Sequence, residues 1–314
     1  MPKPKRSIYF LVLPGVHLLD LAGPAQIFGH EFLQEAVELH YISTDSQALS
    51  QQGLALAQLE PLPEQLAKSS WLFIIGTSEA IQHLHTDYYQ VARTWLIRTE
   101  PQFELVIGIC SGSLFAAFAG LLNHKNCTTH HELLTELKDL APQAKVQDNC
   151  IFVRDGKYWT SAGITTGIDL CLQLVADYWG HQQALLIARD LVVFQRRLGA
   201  QPQLGFWLQY RDHLHARVHA IQDQVLANPG NNWRVPELAQ SVHLSERQLR
   251  RLFQHATGCT LQAWIQQARL ELSRQLLEQT NLALPDIAER CGFESERSLR
   301  RLWQAWHGQL PKRA

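Results

Sequence analysis

A nine-residue segment near the C-terminus of the chain occurs twice with little change. Residues 245–253 read SERQLRRLF and residues 295–303 read SERSLRRLW, so seven of the nine positions are identical. Each copy starts with a serine that can cap a helix, and its apolar residues then recur at the spacing of one helical face. The arginines between them fall on the opposite face. The repeat therefore predicts two amphipathic helices with basic outer faces, which suits a domain that contacts DNA twice.

A second short helix is predicted in front of each copy. The segments 235–242 and 284–291 both have a proline in the first turn, where an N–H group has no partner within the helix, and then an acidic residue at the positive end of the helix dipole. A tight turn follows in each case. The first copy has the Ser-x-x-Gln pattern of a capping box, whereas Ser298 in place of the glutamine predicts an incomplete box in the second copy. The order is helix, turn and recognition helix, twice.

These segments resemble the AraC/XylS type of transcription regulator, in which a long helix joins two helix-turn-helix units. The match covers roughly the last hundred residues and includes 269–271 in the joining helix and 291–293 in the second unit. Leu261 replaces a usual proline, and Leu299 and Trp303 replace usual phenylalanines. The resemblance implies double-stranded DNA as the partner, with the recognition helices in major-groove faces about one helical turn, roughly 34 Å, apart.

The side chains expected to contact DNA lie on the two repeated helices. Because arginine pairs with guanine and glutamine with adenine, the residues predicted at base edges are Arg247, Gln248, Arg250, Arg297, Ser298 and Arg300. Two further arginines are assigned to phosphates or to ion pairs within the domain: Arg251 and Arg301.

The charge of the chain agrees with this assignment once its two parts are separated. The whole chain has a formal net charge of −1, which by itself does not indicate a nucleic-acid partner. Residues 215–314 contain 13 Lys and Arg against 9 Asp and Glu, a net charge of +4, and the remainder carries −5. Such an asymmetry points to a nucleic-acid-binding part.

Length and cysteine spacing limit the other classes of protein. A chain of 314 residues predicts two domains. The six cysteines form no CxxC pair, so we expect reduced thiols, and we expect neither a metal site nor a cofactor. The apolar run at residues 8–13 is too short for a signal peptide, and no apolar stretch is long enough to cross a membrane. We expect a cytoplasmic protein with no membrane partner.

The N-terminal two-thirds alternates predicted strands and helices. Five regions are apolar or rich in β-branched residues, and the segments between them have helical patterns. The predicted strands are 8–13, 38–43, 71–76, 105–109 and 151–153 with 158–161, and the predicted helices are 24–38, 81–98, 113–119, 131–140, 165–180 and 181–194. Strands that are apolar throughout and alternate with helices indicate an α/β fold with a mostly parallel sheet covered on both faces.

A small-residue turn at Gly108-Ile109-Cys110-Ser111-Gly112 is the densest local signal in this part. An apolar strand leads into it and an apolar helix leads out, which is the arrangement of a nucleophile elbow with Cys110 at its apex. At a helix N-terminus the thiolate would be stabilised. A small buried cysteine in a tight turn explains the pentapeptide equally well, so both interpretations stay open.

A second resemblance covers residues 8–195. This part is similar to the DJ-1/PfpI (class I glutamine amidotransferase-like) superfamily, in the branch fused to AraC-type domains. The resemblance rests on Gly15, 19–21, the Cys110 turn, 128–130, 160–163 and 167–169. It implies a flavodoxin-like sandwich and a small-molecule pocket. The ligand-binding residues that it implies are Asp20, Gly76, Thr77, Cys110, Ser111 and His130.

The resemblance also bears on catalysis. In the superfamily the elbow cysteine pairs with an acidic residue and often a histidine, which correspond here to Asp20 and His130, and the N–H groups near Gly76 and Ser111 would bind an oxyanion. Each of these side chains also has a structural interpretation, such as capping a helix. Thr77 stands where hydrolytic and glyoxalase-like members tend to have a second glycine, so we expect no catalytic residues and a sensing role for the pocket.

Together the two resemblances predict a transcription regulator, not an enzyme. The expected parts are an effector-sensing domain at 1–198, a linker at 199–212 and a DNA-binding domain with two helix-turn-helix units at 213–314. We expect a homodimer formed through the N-terminal domain. The effector is unidentified; some members of the branch respond to quaternary amines or amino acids. The alternatives are a cysteine amidase, protease or glyoxalase-like enzyme, and a thiol redox sensor in which Cys110 is oxidised.

Overall fold

A computed structural model describes residues 5–78, 84–193, 199, 203, 210–211, 213–308 and 310–311. The chain divides into two compact units, Met1–Gln203 and Leu204–Ala314. Most of the predicted linker, 199–212, lies outside the described residues. Within it, Gly199 accepts backbone hydrogen bonds from Ile151 and Phe152, and Gln203 donates to the Thr129 carbonyl oxygen, so both contact the first unit. The domain boundaries stay a prediction.

The first unit is built on a seven-stranded sheet. The strands described are β1 (Arg6–Leu11), β2 (Val37–Ser43), β3 (Gln47–Leu49), β4 (Ala55–Ala57), β5 (Glu60–Pro61), β6 (Trp71–Ile74), β7 (Leu105–Ile109), β8 (Asn126–Cys127), β9 (Lys145–Val146), β10 (Phe152–Asp155) and β11 (Tyr158–Ser161). The order in the sheet is β10-β11-β7-β6-β1-β2-β5, and every pair is parallel except β10 with β11. β3 with β4 and β8 with β9 form two small additional sheets. The predicted parallel α/β sheet is confirmed.

Helices cover both faces of this sheet. They are α1 (Leu18–Phe28), α2 (Asp87–Thr99), α3 (Gly112–Phe118), α4 (Leu134–Leu140), α5 (Thr165–Trp179) and α6 (His181–Asp190), with 3₁₀ turns at Glu31–Leu33, Glu100–Gln102 and His131–Leu133. Along β1, Ile8 and Phe10 pack with α1, α5 and α6, whereas Tyr9 and Leu11 pack with α2, α3 and α4. The strand is therefore apolar throughout because both of its faces are buried.

The first helix differs from the prediction. We expected a helix over 24–38, but α1 begins at Leu18, ends at Phe28 and contains Pro24 in its interior. Pro24 removes one helical hydrogen bond without stopping the helix. Asp20 consequently lies inside the first turn of α1 and does not cap it, since the N-cap position belongs to His17.

Two other predicted helices extend into residues that the structure does not describe. The prediction of a helix over 81–98 includes residues 81–83, which are outside the described residues, and the described helix begins at Asp87. The sequence pattern also predicts a helix over about 206–227, of which residues 206–209 and 212 are likewise outside them. Residues 213–215 precede the helix that starts at Ala216.

The second unit is helical and has two apolar cores. Its helices are α7 (Ala216–Ala227), α8 (Val235–Ser241), α9 (Glu246–Thr257), α10 (Leu261–Gln279), α11 (Leu284–Arg290) and α12 (Glu296–His307). The first half of α10 packs with α7, α8 and α9 through Trp264, and its second half packs with α11 and α12 through Leu270. One long helix therefore joins two helix-turn-helix units, as the resemblance implied.

Both recognition helices begin with a complete capping box. Ser245 accepts a hydrogen bond from the Gln248 N–H group, and the Gln248 side chain accepts one from the Ser245 N–H group. In the second copy, Ser295 and Ser298 exchange the same two bonds at 3.2 and 3.1 Å. The predicted incomplete box was wrong, because the shorter serine side chain still reaches the N-cap N–H group.

Candidate functional site

Cys110 lies at the end of β7, where the chain turns sharply into α3. Its backbone has φ +55°, a conformation that costs a non-glycine residue free energy and is held by the surrounding structure. The Cys110 N–H group donates to the Ser161 carbonyl oxygen at 3.0 Å. A Cβ atom on Gly163 would overlap Cys110, so the glycine lets the two segments touch. The predicted strand-to-helix elbow is present, with the thiol at its apex.

Asp20 contacts this thiol from α1. Its side chain is 1% exposed, and its Oδ1 atom accepts a hydrogen bond from the Ile164 N–H group at 2.5 Å. Among the described residues, its Oδ2 atom has no hydrogen-bond partner. A Cβ atom on Gly76 would come within 2.5 Å of Oδ2 and 2.9 Å of the Cys110 Cβ atom. Gly76 therefore leaves the space in which the carboxyl group and the cysteine meet.

Burial dominates the ionisation of both groups. It raises the pKa of Asp20, and the hydrogen bond from Ile164 opposes this effect only in part. Burial also raises the pKa of Cys110 far above the usual thiol value, and the neighbouring Asp20 carboxylate raises it further, while the Ser111 N–H group acts in the opposite direction. Cys110 is therefore a protonated thiol at neutral pH and a poor nucleophile in this state.

The neighbouring hydroxyl groups form a closed chain of hydrogen bonds. Ser111 Oγ accepts from the Thr77 N–H group and donates to the Thr77 carbonyl oxygen, both at 2.7 Å. Thr77 Oγ1 in turn lies 2.7 Å from the Tyr89 hydroxyl oxygen. The Thr77 N–H group is thus already used within the protein. These hydrogen bonds fix the Ser111 and Thr77 side chains and leave one fewer donor for an oxyanion.

His130 lies in the same pocket as Cys110, but its described contacts are to other residues. Its Nδ1 atom is 3.6 Å from Glu132, and its ring packs on His131 with the centroids 4.3 Å apart. Burial lowers the pKa of His130, and the adjacent His131 lowers it further. A neutral imidazole can accept a proton, yet no described hydrogen bond links it to the thiol.

A cavity of about 290 Å³ opens above these residues. Of the predicted ligand-binding residues, Thr77, Cys110, Ser111 and His130 line it, whereas Asp20 and Gly76 do not. Five further residues line the cavity that were not predicted from the sequence: His17, Ser78, Glu132, Leu133 and Ile164. Ile164 follows the 160–163 motif directly, so a signal for it existed in the sequence. The described lining contains acidic Glu132 and no Lys, Arg, Trp, Tyr or Phe.

The predicted DNA-binding side chains all lie on α9 and α12. The four arginines at equivalent positions 247, 251, 297 and 301 are exposed, and so are Arg250 and Arg300. Leu249, Phe253, Leu299 and Trp303 form the buried faces of the same helices. The basic faces are thus directed away from the domain cores, as the repeat predicted.

Two of these arginines form ion pairs within their own helices. Arg250 lies 4.0 Å from Glu246, and Arg300 lies 2.6 Å from Glu296. Gln248 and Ser298 take part in the capping boxes. Within the described residues, no ion pair involves Arg247, Arg251, Arg297 or Arg301. These four are therefore the cations most available to an anionic partner.

The described part of the chain contains no group of three or more His, Cys, Asp or Glu side chains arranged to hold a metal ion. None of its helices combines the length and apolarity needed to cross a lipid bilayer.

Comparison with known proteins finds relatives of both units. Residues 6–177 match the DJ-1/PfpI family, and residues 238–314 match a helix-turn-helix domain. The HTH-type transcriptional regulator CdhR of Pseudomonas aeruginosa is 28% identical over 96% of this chain and 88% of its own length. The isonitrile hydratase of Pseudomonas putida is 32% identical over 59% of this chain and 77% of its own length. A solved ThiJ/PfpI family protein from Pseudomonas syringae shares the fold with a TM-score of 0.55 at 22% identity, over 72% of this chain and 88% of that one.

Proposed function

The chain belongs to the DJ-1/PfpI family and is a transcription regulator with a C-terminal helix-turn-helix domain, and we propose that the cavity at Cys110 binds its small-molecule effector while α9 and α12 bind its operator. The observation that carries the DNA-binding part is the pair of exposed arginine faces on two equivalent helices. A regulator of this kind meets its DNA in the cytoplasm.

The roles proposed for the DNA-contacting residues follow from their surroundings. Arg247 and Arg297 lie in the first turns of α9 and α12, the part of a recognition helix that contacts base edges. Arg251 and Arg301 lie one turn further along and supply contacts to phosphates or bases. Arg250 and Arg300 remain candidates for base contacts, provided that DNA displaces the glutamates that now pair with them.

The effector pocket is proposed from its space and from the polar side chains that line it, among them Thr77, Ser111 and His130. The acidic lining without Lys or Arg favours a neutral or cationic effector over an anionic one. Because no Trp, Tyr or Phe lines the described cavity, the aromatic cage that typically holds a quaternary ammonium group is not part of it.

Selection of genomic fragments with the purified full-length protein at physiological salt tests the regulator. We expect enrichment of a few sites, each with two short blocks about one helical turn apart. Fragments enriched no more than by non-specific binding would contradict the proposal. The effector pocket is tested separately by thermal-shift measurements with small amines and neutral polar compounds, in the wild type and in Leu133→Trp, which fills the cavity. A true effector should stabilise the wild type and not the variant.

An enzymatic activity is the second candidate function. It is favoured by the contact between Asp20 and a cysteine held at positive φ, and by the relative that is named an isonitrile hydratase. The raised pKa of Cys110 and the use of the Thr77 N–H group within the protein argue against it. Assays of isonitrile hydration, amide hydrolysis and glyoxalase activity test it. Turnover by the wild type that Cys110→Ser abolishes would establish an enzyme, whereas a regulator keeps its DNA binding in that variant.

We also propose that the protein acts as a homodimer through its N-terminal unit. Exposed apolar side chains on that unit, such as Leu185 on α6 at 65% exposure, provide surface that a second copy can bury. Sedimentation equilibrium of the full-length protein tests this: a mass of two chains supports the proposal, and a single-chain mass over the micromolar range opposes it.

A further inference from the structure

The resemblance between the two recognition helices continues beyond the nine-residue repeat. Residues 245–258 and 295–308 can be aligned without a gap, and nine of the fourteen positions are identical. The identities continue through Gln254 and Gln304 to the glycines that end the helices. Gly258 and Gly308 both adopt the left-handed conformation, with φ +73° and +67°. The two helices therefore have the same length and the same kinds of cap at both ends.

Three outward residues are identical on the two helices. Arg247, Arg251 and Gln254 are spaced at i, i+4 and i+7, so they share the face of α9 opposite to the buried Leu249 and Phe253. All three are exposed. The matching residues on α12 are also exposed: Arg297, Arg301 and Gln304. Each helix thus presents the same two free guanidinium groups and one amide.

The flanking arginine has the equivalent glutamate as its partner on both helices. Arg250 and Arg300 each form an ion pair with the glutamate four residues earlier, although the second pair is the tighter, at 2.6 Å against 4.0 Å. The same two residues are thus present in both copies, so the third arginine adds no difference in side-chain identity between the two surfaces.

Five positions differ between the two segments, and the first of them belongs to the capping box. Gln248 Oε1 accepts hydrogen bonds from the Ser245 N–H and hydroxyl groups, both at 2.9 Å. Ser298 accepts from the Ser295 N–H group and donates to the Ser295 carbonyl oxygen at 2.6 Å. Phe253 against Trp303 is a difference on the buried face, and the other three differences, at 255–257 and 305–307, fall in the last turns of the helices. None of the five is at an arginine.

We infer that the two helices read the same short base sequence, so that both blocks of the operator carry one shared core that contains guanine. Identical side chains at equivalent positions of two helices make the same hydrogen bonds with bases. Arginine pairs bidentately with the guanine O6 and N7 atoms. The inference rests on the proposed function as a DNA-binding regulator. It predicts that one base sequence occurs in both blocks of the operator, which two dissimilar recognition helices would not require.

Selection from a random double-stranded DNA library with the full-length protein provides the first test. The result expected is a site with two blocks of the same core, about one helical turn apart. Two reproducible blocks of unrelated sequence would overturn the inference and leave the regulator intact. No reproducible site at all would overturn the regulator and the inference together, so the two failures are distinguishable.

Paired variants on the selected site provide the second test. Arg247→Ala should relax the preference at one base pair of one block, and Arg297→Ala should relax it at the equivalent base pair of the other block, each by about tenfold or more. Trp306→Ala makes the second helix match Ala256 of the first, on the helix face opposite to Arg297, and should leave the preferred core unchanged within about twofold. Circular dichroism of each variant verifies that it is folded. Loss at non-equivalent base pairs, or a new core with Trp306→Ala, would contradict a shared code.

Discussion

At the residue scale, the buried carboxyl group of Asp20 predicts an unusual dependence of stability on pH. Because its pKa is raised in the folded state, the protonated acid stabilises the fold at acid pH, and this contribution is lost as the pH rises through the raised value. Asp20→Asn keeps the acceptor for the Ile164 N–H group but carries no charge. We expect its melting temperature, relative to the wild type, to increase from about pH 4 to about pH 8.

Asp155 provides a matched control with the opposite sign. Two hydrogen bonds from Asn126, backbone and side chain, lower the pKa of Asp155. Its contribution to stability is present above the usual carboxyl pKa and is lost as the pH falls through the lowered value. Asp155→Asn should therefore be less stable than the wild type at neutral pH and approach it in acid. Equal pH profiles for the two variants in calorimetry would refute the assignment of Asp20 as a buried, desolvated acid.

Two glycines with the same backbone conformation are expected to differ in how well they tolerate alanine. Gly258 and Gly292 both have φ +73°, but a Cβ atom on Gly258 meets nothing within 4 Å, whereas one on Gly292 would overlap the Gly230 carbonyl oxygen. Gly258→Ala should cost on the order of 1 kcal/mol from backbone strain alone. Gly292→Ala should cost on the order of 3 kcal/mol, because the loop at 229–231 must also move. Hydrogen exchange of the C-terminal unit measures the difference, and similar losses of protection would contradict this account.

At the scale of elements, the start of α12 depends on its N-cap. Ser295→Ala removes the acceptor for the Ser298 N–H group and should destabilise the helix by about 1 kcal/mol, which is about a fivefold loss of amide protection over 296–300. Ser295→Asp keeps an acceptor and adds a negative charge at the positive end of the helix, so it should retain the protection. Exchange measured by mass spectrometry reports the helix directly. Unchanged protection in Ser295→Ala would show that the cap is not needed.

Most of the elements could be predicted from sequence because each has a local cause. Each of these causes is a pattern within one segment: a long apolar strand, a helix N-cap or a glycine C-cap. These patterns were sufficient to predict the parallel sheet and the paired helix-turn-helix units. The short strands β3, β4, β8 and β9 have two or three residues each, too few for a periodic pattern. The start of α1 was predicted too late because Pro24 is typical of a first turn but lies inside the helix.

The candidate pocket shows the same limit of sequence analysis. Cys110 and Asp20 were predicted by their motifs, and the structure brings them into contact. The Ile164 N–H group that binds Asp20 is a backbone donor 144 residues away along the chain, and no side-chain pattern identifies such a donor. The bond between the Thr77 N–H group and Ser111 likewise depends on how two loops meet. Contacts of this kind follow from the tertiary fold.

For the whole molecule, the distribution of charge determines how DNA binding responds to salt. The net charge of −1 would predict weak, salt-insensitive binding, whereas the arginines of α9 and α12 predict a steep dependence. The double variant Arg251→Ala with Arg301→Ala removes two exposed cations that lack described ion pairs. If both contact phosphates, the slope of log K against log salt should become shallower by about 1.8, since each phosphate contact contributes about 0.9.

A control with the same change in net charge separates local from global electrostatics. Arg98 and Arg154 are well-exposed cations of the N-terminal unit, with side chains 56% and 60% exposed. Arg98→Ala with Arg154→Ala lowers the net charge by the same two units but should leave the slope unchanged, because counterions are released only where cations meet phosphates. Fluorescence anisotropy on one operator over a range of salt concentrations measures both slopes. Equal changes in the two double variants would mean that the whole protein's charge, and not the two arginine faces, controls binding.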